Sequence, residues 1–470
     1  LNGQYVKLDI NKAIHYLTLA SDQNIPQAQY NLGNIYNSEQ YVTRDINKAI
    51  HYYTLAANHN HPLSLYNLGI IYLKRRDINK AIHYLSLASN QNIPQAQYEL
   101  AIIYYKGQYV KQDINKAIHY FTLAANKNHP ESLYYLAVII LNGRYVTRDI
   151  NKAIHYFTLA AEQNNPRALY DLSVIYYNGQ YIKQDINKAI HYLSLAANKN
   201  HPESQYNIGV LYFNGQYVKR DINKAIHYLS LASNQNISQA HYILGIIYYI
   251  EPNVKQDINK AIHYLTLAAN QNIPQAHFIL GIIYYNGRYV TQDIYKAIHY
   301  FTLAANRNHP QAQHNLGTIY FYGLCVTQDI NKAIHYFTLA ANQNVPQAQY
   351  NLGIIYSDGQ YITQDINKAI HYFTLAANQK YLDAQYNLGV IYYNGLGVAQ
   401  DINKAIHYFT LAANQSQPNA QFILGCIYYT GLSVRQDIKK GTYLIILASK
   451  NENRQANFAH GFLLHEGKYV

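Results

Sequence analysis

Histidine, with 22 residues, is the side chain of this sequence best suited to metal binding and to proton transfer near neutral pH. It recurs in the same setting in twelve of thirteen repeated segments: His15, His51, His83, His119, His155, His191, His227, His263, His299, His335, His371 and His407. In one segment Asn331, His335 and Thr338 stand at helical spacings of four and three, so they share one face of a helix. An imidazole there could ligate a metal, transfer a proton or hydrogen-bond a partner.

Metal binding and catalysis lack the partner residues that they require. Zinc takes three or four protein ligands, whereas each segment offers one histidine with no cysteine or carboxylate beside it. Cys325 and Cys426 have no recurring histidine nearby, and the sequence after His465–Glu466 does not match a zinc-protease helix. Since no phosphate-binding glycine loop is present either, we expect no catalytic residue, no metal and no cofactor, and a chain that is not an enzyme.

Hydrogen bonding to a partner protein is the remaining role for this face. We therefore predict a partner-binding stripe made of Asn115, His119, Thr122, Asn151, His155, Thr158, Asn187, His191, Asn223, His227, Asn259, His263, Thr266, His299, Thr302, Asn331, His335, Thr338, Asn367, His371, Thr374, Asn403, His407 and Thr410. Because histidine changes charge near neutral pH, the stripe would respond to pH. The alternative is a solvated face that was copied with its repeat by duplication.

The elements that must position this stripe follow from an internal repeat. The pair Asp-Ile marks its period, with the aspartates at 9, 45, 77, 113, 149, 185, 221, 257, 293, 329, 365, 401 and 437. Every interval is 36 residues except the 32 residues from Asp45 to Asp77. A fixed period of this length is typical of helical solenoids.

Each repeat predicts two helices. Asp329 is a suitable N-cap for the first helix, whose apolar residues recur at helical spacing. Asn344 tolerates the left-handed conformation that closes a helix, and Pro346 suits the first turn of the second helix. Gly359 then ends that helix before the linker to the next aspartate.

Two small residues predict close packing between these helices. The position of Gly353 holds only Gly, Ala or Ser in the thirteen repeats, and that of Ala340 holds Ala in every one. Glycine inside a helix costs up to ~1 kcal/mol relative to alanine, so its recurrence indicates close helix–helix approach. One repeat alone cannot bury its apolar face, but stacked neighbours can. The fold class is therefore all-α, an α/α superhelical solenoid of about thirteen 36-residue helix-turn-helix repeats.

Composition sets limits on environment and partners. The 470 residues carry a net charge of +12, only 13% charged residues, 53 tyrosines and no methionine. A chain without an initial Met is expected to be part of a longer reading frame. Two cysteines make no disulfide framework, and no apolar run is long enough to span a membrane. We expect a cytoplasmic monomer, with the endoplasmic-reticulum lumen as the alternative.

The repeat resembles the Sel-one-like repeat family, a relative of the tetratricopeptide repeats. The resemblance rests on Ala384-Gln385, Leu388-Gly389, Tyr392, Gly395-Leu396-Gly397-Val398, Asp401, Lys404-Ala405, Tyr408-Phe409 and Ala412-Ala413, and it extends over the whole chain. Three positions depart from the family pattern: Tyr361 replaces a linker Gly, Asn344 a helix-ending Gly, and Tyr336 a frequent Trp. The resemblance implies an adaptor or scaffold for protein complexes and brings no catalytic residues.

The chain is predicted to be one continuous solenoid, residues 1–470, with a partial unit at 1–8 and an atypical last unit at 437–470. The last unit could be a polar C-terminal cap or a diverged repeat. Other irregularities are Arg75–Arg76 at the end of the shortened interval, directly before Asp77, and Glu251–Pro252 in a linker. Basic linker residues concentrate in the first two-thirds: Lys7, Arg44, Arg75, Arg76, Lys111, Arg148, Lys183, Lys219, Arg220 and Lys255. They predict either scattered solubilising charge or an edge that binds acidic groups.

Lysine and tyrosine recur at further fixed positions. Lys332 and its equivalents should pair with the aspartate three residues earlier. Tyr336 and Tyr356 are spaced for packing. The linker tyrosines should pack over the turn, or else form an exposed row that anchors a partner; they are Tyr5, Tyr41, Tyr109, Tyr145, Tyr181, Tyr217, Tyr289 and Tyr361.

Three functions are consistent with these features. The favoured one is a protein–protein interaction scaffold or adaptor that binds partners on the concave first-helix face. The second is a regulatory or targeting arm of a larger protein, such as a kinase or a quality-control ubiquitin-ligase adaptor. The third is an RNA-binding solenoid, which near-identical repeats disfavour because they would read a nearly uniform base sequence.

Overall fold

A computed structural model describes residues 9–251 and 257–465, and this part of the chain contains helices and no strand. Tyr5, Lys7, Pro252, Lys255 and Glu466 lie outside the described residues. The helices are α1 Ile10–Asp22, α2 Pro26–Asn37, α3 Ile46–Asn58, α4 Pro62–Lys74, α5 Ile78–Asn90, α6 Pro94–Lys106, α7 Ile114–Ala125, α8 Pro130–Asn142, α9 Ile150–Glu162, α10 Pro166–Asn178, α11 Ile186–Asn198, α12 Pro202–Asn214, α13 Ile222–Asn234, α14 Ser238–Ile250, α15 Ile258–Asn270, α16 Pro274–Asn286, α17 Ile294–Ala305, α18 Pro310–Tyr322, α19 Ile330–Asn342, α20 Pro346–Asp358, α21 Ile366–Asn378, α22 Leu382–Asn394, α23 Ile402–Asn414, α24 Pro418–Thr430, α25 Ile438–Lys450 and α26 Arg454–His465.

The helices fall into two compact bodies. The N-terminal body is Leu1–Ile237 and contains α1 to α13, and the C-terminal body is Ser238–Val470 and contains α14 to α26. Within each body, every helix packs against the helices before and after it in the chain. The predicted all-α solenoid of paired helices is confirmed.

The odd-numbered helices begin and end as the sequence predicts. The carboxylate of Asp329 accepts a hydrogen bond from the backbone N–H of Lys332 at 3.0 Å, which caps α19. Asn344 adopts a φ of 60°, and the N–H of Val345 donates to the carbonyl of Ala340 at 3.2 Å. This is the hydrogen bonding of a Schellman motif, and it brings the chain directly to the start of α20.

In the described residues, nine even-numbered helices end at a left-handed glycine, namely α6, α8, α10, α12, α16, α18, α20, α22 and α24, whereas α2 ends at Ser38 and α4 at Arg75. Gly359 has a φ of +69°, a conformation that glycine adopts without strain. The side-chain amide of Gln364 then donates to the carbonyl of Ser357 at 2.7 Å. The backbone N–H of Asp365 donates to the carbonyl of Tyr356 at 2.9 Å, so the next N-cap is fixed against the end of α20.

Small residues allow each even-numbered helix to lie close to the odd-numbered helix that follows it. A Cβ added to Gly353 would lie 2.5 Å from the ring of Phe373 on α21. Phe373 and Ala340 are both fully buried. The predicted close approach at the glycine and alanine positions is confirmed.

The helices also form two layers with different spacing. Some consecutive even-numbered helices contact one another: α2 with α4 and α4 with α6 in the N-terminal body, and α18 with α20, α20 with α22 and α22 with α24 in the C-terminal body. In the described residues, consecutive odd-numbered helices make no contact of comparable extent. In these stretches the even-numbered helices form the more closely spaced layer.

Replacing Gly353 by alanine should destabilise the chain even though alanine is the better helix former. The added Cβ must displace the Phe373 ring, and such overpacking costs about 1–3 kcal/mol against a gain of up to ~1 kcal/mol in helix propensity. The measurement is urea unfolding followed by circular dichroism. Gly461→Ala is the matched control, because no atom lies within 4 Å of the added Cβ. Equal stabilisation by both substitutions would contradict the packing argument.

Candidate functional site

The predicted stripe lies on the outward face of the odd-numbered helices. In α7, α9, α11, α13, α15, α17, α19, α21 and α23 its asparagine and histidine side chains are exposed, whereas its threonines are half-buried. At α17 the asparagine position holds Tyr295, which is 71% exposed. Apart from α17, each of these helices therefore presents the same exposed asparagine and histidine.

Within the stripe, histidine and threonine side chains differ in whether their polar atoms form hydrogen bonds inside the chain. The His335 ring lies edge-on to Tyr336 of the same helix at 5.3 Å. Among the described residues, no intramolecular hydrogen bond uses the ring nitrogens of the stripe histidines. Three of the stripe threonines, Thr122, Thr158 and Thr302, use their hydroxyls internally by donating to the carbonyl four residues earlier, at 2.7, 2.9 and 2.7 Å. The stripe thus offers imidazole and amide groups to a partner, and little from these three threonines.

Lysine and tyrosine side chains beside the stripe hold neighbouring helices together. Lys332 Nζ lies 3.3 Å from the Asp329 carboxylate and 5.1 Å from the centre of the Tyr320 ring on α18. Tyr336 stacks on Tyr320 at 5.9 Å with an interplanar angle of 6°. The Asp–Lys pairing and the packing role of Tyr336 are confirmed. The sequence analysis did not foresee the cation–π contact.

The linker tyrosines combine the two predicted roles. Tyr361 packs edge-on against Phe321 of the preceding repeat at 5.6 Å, and its side chain is still 39% exposed. Tyr217 makes the same kind of contact with Tyr177 at 6.1 Å. The rings therefore close the turn and leave one edge available to solvent.

The even-numbered helices carry a face whose residues change from repeat to repeat. The half-buried position of Asn351 holds Asn31, Asn67, Glu99, Tyr135, Asp171, Asn207, Ile243, Ile279, Asn315, Asn351, Asn387 and Ile423. Neighbouring repeats are linked across this face, as by the Asn67 amide, which donates to Asn34 at 3.4 Å. Burial raises the pKa of the Glu99 and Asp171 carboxyl groups. This face, unlike the stripe, distinguishes one repeat from another.

Glutamines form a buried ladder that the sequence analysis missed. The Gln349 amide donates to the carbonyl of Ala341 at 3.1 Å, and Gln379 on the next odd-numbered helix donates to Gln349 Oε1 at 2.8 Å. Gln205 and Gln235 repeat the arrangement in the N-terminal body at 2.7 Å. The available signal was the alternation of glutamine with leucine at the Gln349 position, which indicates a buried site.

A second set of histidines, also missed, caps the even-numbered helices. Nδ1 of His129 accepts from the backbone N–H of Ser132 at 3.4 Å, and its ring lies 4.9 Å from that of Tyr98. Burial lowers the pKa of His129, although the Glu131 carboxylate at 3.9 Å opposes this shift. The other three are His61, His201 and His309, whose pKa values burial also lowers.

The remaining candidate residues are not brought together into a site. Cys325 is exposed, whereas burial raises the pKa of the half-buried Cys426 thiol. His465 ends α26. Residues 9–251 and 257–465 contain no group of three or more His, Cys, Asp or Glu placed to hold a metal ion. None of the helices in these ranges combines the length and apolar character needed to span a membrane.

The irregular segments have distinct geometries. Arg75 donates to Asn47 at 3.0 Å, and Arg76 has a φ of 62°, so the shortened linker closes in a left-handed turn. The last helix exposes Phe458 by 80% and Phe462 by 53%. This apolar surface does not fit the polar cap considered for the last unit.

Comparison with known proteins identifies the repeat. The profile of the Sel1 repeat matches residues 1–25, 26–61, 62–93, 94–129, 130–165, 166–201, 202–237, 238–273, 274–309, 310–345, 346–381, 382–417 and 418–453.

The chain belongs to the Sel1 repeat family.

Solved structures of Sel1 repeat proteins share its fold. One is a protective antigen of uropathogenic Escherichia coli strains that displays an SLR fold. It is 25% identical, covers 97% of this chain and 91% of its own, and has a TM-score of 0.72. A Sel1 repeat protein from Oxalobacter formigenes is 31% identical over 66% of this chain and 90% of its own, with a TM-score of 0.56. The comparison with curated protein sequences found no match.

The Sel1 profile also sets the boundaries of the unit. From residue 26 onward each matched unit starts at the first residue of an even-numbered helix. The unit therefore pairs an even-numbered helix with the odd-numbered helix that follows. The stripe lies on the second helix of this unit, not on the first as the Asp-based boundaries assumed.

Completing the glutamine ladder should stabilise the chain. Gln97 Oε1 is buried without a hydrogen-bond partner, and the residue placed to donate to it is Lys127 instead of glutamine. Lys127→Gln should raise the free energy of unfolding by about 1 kcal/mol, the net value of one intramolecular hydrogen bond. Urea unfolding measures this. Lys199→Gln is the control, since Leu169 occupies the acceptor position there, and an equal gain in both variants would refute the assignment.

The capping histidines should make stability depend on pH. Their lowered pKa values mean that the folded chain binds fewer protons than the unfolded chain. Their contribution is therefore complete above about pH 6.5 and is lost as the pH falls through the folded pKa values. Changing all four to asparagine should flatten the decline of the melting temperature between pH 8 and 5.5.

Asparagine is the suitable replacement because Asn165 already caps α10, its side chain accepting from Ala168 N–H at 3.0 Å. The control changes four stripe histidines to asparagine, beginning with His155→Asn, because their rings cap no helix. An unchanged slope in the capping variant would show that these histidines do not carry the pH dependence.

Proposed function

We propose that this chain is a scaffold that binds other proteins through the stripe of its odd-numbered helices. One observation carries the proposal: an exposed histidine recurs on every odd-numbered helix from α7 to α23, with an exposed asparagine beside it on all of these helices except α17, where Tyr295 stands. The ring nitrogens of these histidines have no hydrogen-bond partner within the described chain. Such groups can form many similar hydrogen bonds along an extended partner.

The structural role of the other recurring residues supports this assignment. The recurring alanine, phenylalanine and leucine side chains are buried between helices. The recurring lysine and tyrosine side chains form stacks such as Lys332–Tyr320–Tyr336. Glutamine and the capping histidines are used inside the array. The stripe is the recurring polar feature for which the described contacts give no internal role.

Uniformity of the stripe implies that the binding energy is spread over many repeats. An exposed hydrogen bond contributes about 0.5–1.5 kcal/mol, so one histidine accounts for a small part of the total. Register along the array must come from places where repeats differ, such as the Asn351 position or the linker at Arg75.

The test compares single and multiple substitutions in the whole chain. The probe is the set of proteins that immobilised wild-type chain retains from an extract of its own cells, quantified by mass spectrometry. His335→Ala should lower the recovery of each retained protein by no more than about ten-fold. The nine-fold variant with alanine at His119, His155, His191, His227, His263, His299, His335, His371 and His407 should abolish it.

A matched control carries alanine at exposed glutamines of the even-numbered helices, Gln275, Gln311 and Gln347. Its recovery should equal that of the wild-type chain. Loss of binding from His335→Ala alone would contradict spread contacts. Retention of binding by the nine-fold variant would exclude the stripe as the binding surface.

A further inference from the structure

One repeat of the N-terminal body lacks a tyrosine ring that eleven other repeats carry. In those eleven, the lysine near the start of an odd-numbered helix lies over a tyrosine ring of the preceding even-numbered helix, as Lys332 does over Tyr320. In ten of them a tyrosine of the odd-numbered helix, such as Tyr336, stacks on the same ring with an interplanar angle of 5° to 14°. In α8 the position of this shared ring holds Ile140.

Ile140 leaves two side chains of α9 without the ring that their equivalents contact. Within residues 9–251 and 257–465, the Lys152 ammonium lies over no aromatic ring and forms no ion pair. The Tyr156 ring contacts His155 of its own helix at 5.8 Å and 50°, and it stacks on no ring of α8. In the eleven equivalent histidine–tyrosine pairs the angle is 64° to 72°. The Tyr156 ring is therefore turned away from the orientation that its equivalents share.

A cavity of about 660 Å³ lies beside these three side chains, between α7, α8, the linker after α8 and α9. Ile140, Lys152 and Tyr156 all line it, and Ile139 adds to its apolar wall. Asn151 and Lys152 are exposed, so the cavity is open to solvent on the side of α9. Its volume falls within the range of ligand-binding sites in proteins.

A repeat that retains the tyrosine shows which part of this space the ring closes. Along the linker before α21, a smaller space of about 400 Å³ is lined by Tyr356 and Lys368 but not by Tyr372. The Tyr356 ring stacks on Tyr372 at 5.8 Å and so covers its face. No residue of α19 lines that smaller space, whereas residues of α7 line the cavity at Ile140. Exchange of tyrosine for isoleucine therefore accounts for the inner part of the cavity, in front of the tyrosine face.

We propose that this cavity receives a tyrosine side chain of a bound polypeptide. The complete repeats show that a phenol ring fits between the lysine and the second tyrosine in this arrangement. A ring that enters from outside can stack on Tyr156 and lie beneath the Lys152 ammonium. Ile139 and Ile140 supply an apolar wall for its inner edge.

This inference rests on the proposed function, because the cavity opens within the stripe. Asn151 and Thr122, which belong to the stripe on α9 and α7, both line it. A polypeptide bound along the stripe therefore passes the cavity and can insert a tyrosine there. Among the described helices α2 to α24, Ile140 is the one exception to tyrosine at its position. Insertion at this single place would fix the register that identical stripe groups leave open.

The test uses the peptide N-acetyl-Gly-Tyr-Gly-amide with one fluorine on the tyrosine ring, followed by fluorine NMR as the full-length chain is added. A ligand of this size should bind with a dissociation constant on the order of 1 mM. Ile140→Tyr introduces the ring that eleven other repeats carry, so it should fold as the wild-type chain does and weaken binding by more than about ten-fold. Ile140→Val is the matched control, because it keeps the cavity open and should leave binding unchanged.

A second variant moves the site to another repeat. Tyr320→Ile, added to Ile140→Tyr, removes the ring between Lys332 and Tyr336 and should restore binding of the peptide. The unlabelled peptide with leucine in place of tyrosine should not displace the probe. Absence of binding to the wild-type chain, equal binding by Ile140→Tyr, or displacement by the leucine peptide would overturn the proposal.

Failure of this site is distinguishable from failure of the proposed function. The variant with nine stripe histidines changed to alanine should bind the peptide as the wild-type chain does, because no stripe histidine lines the cavity. Failure of the stripe would therefore alter the recovery of retained proteins and leave the NMR titration unchanged. Ile140→Tyr should lower the recovery of proteins that the wild-type chain retains by more than His335→Ala does. An unchanged recovery would exclude the cavity as the anchor of a partner.

Discussion

The structure depends on the close approach of each even-numbered helix to the odd-numbered helix that follows it. Gly353 lies so near the Phe373 ring that a single added carbon would overlap it. Because this contact joins consecutive helices, it fixes where the next odd-numbered helix stands and therefore which of its faces turns to solvent. The exposure of His335 is thus a consequence of packing on the opposite side of α19, where Phe337 and Ala340 are buried.

Polar groups inside the array constrain the same interface in a different way. Apolar packing tolerates small shifts between helices, but a buried amide must meet its partner within hydrogen-bond distance. The Gln349 amide links the end of α19 to α20, and Gln379 extends the link to the end of α21. The ladder therefore fixes the axial position of each helix while the glycine contact fixes its separation. Where the ladder lacks a donor, as at Gln97, the link to the preceding odd-numbered helix is still present, because the Gln97 amide donates to the carbonyl of Ser89 at 3.3 Å.

Local chain chemistry made much of the fold predictable from the sequence. Asp329, Asn344, Pro346 and Gly359 act through their own backbone conformations, so their types and spacing were sufficient to place the helices. Gly353 was informative because glycine weakens a helix, so its recurrence at one helical position indicates that close packing requires it. The start of the unit was not predictable, since a periodic pattern has no intrinsic first residue. Only the match to the Sel1 profile shows that the even-numbered helix is the first helix of the unit.

The side chains that escaped prediction act over longer separations or in uncommon roles. Gln349 and Gln379 are 30 residues apart, and each alone resembles an ordinary surface amide. His129 is an N-cap, a role usually taken by Ser, Thr, Asp or Asn. Its residue type therefore did not indicate this role.

The contrast between uniform and variable surfaces bears directly on specificity. A partner that contacted only identical groups would bind equally well after a shift of one repeat, because every contact would be replaced by an equivalent one. The interaction free energy would then define an orientation along the array but no fixed position. A fixed position requires at least one contact whose energy differs between repeats. The half-buried face that carries Glu99, Tyr135 and Asp171 provides such differences, and so does the linker at Arg75. Uniform and variable surfaces are therefore complementary in this chain: the first can supply affinity over many repeats, and the second can determine where along the array that affinity is used.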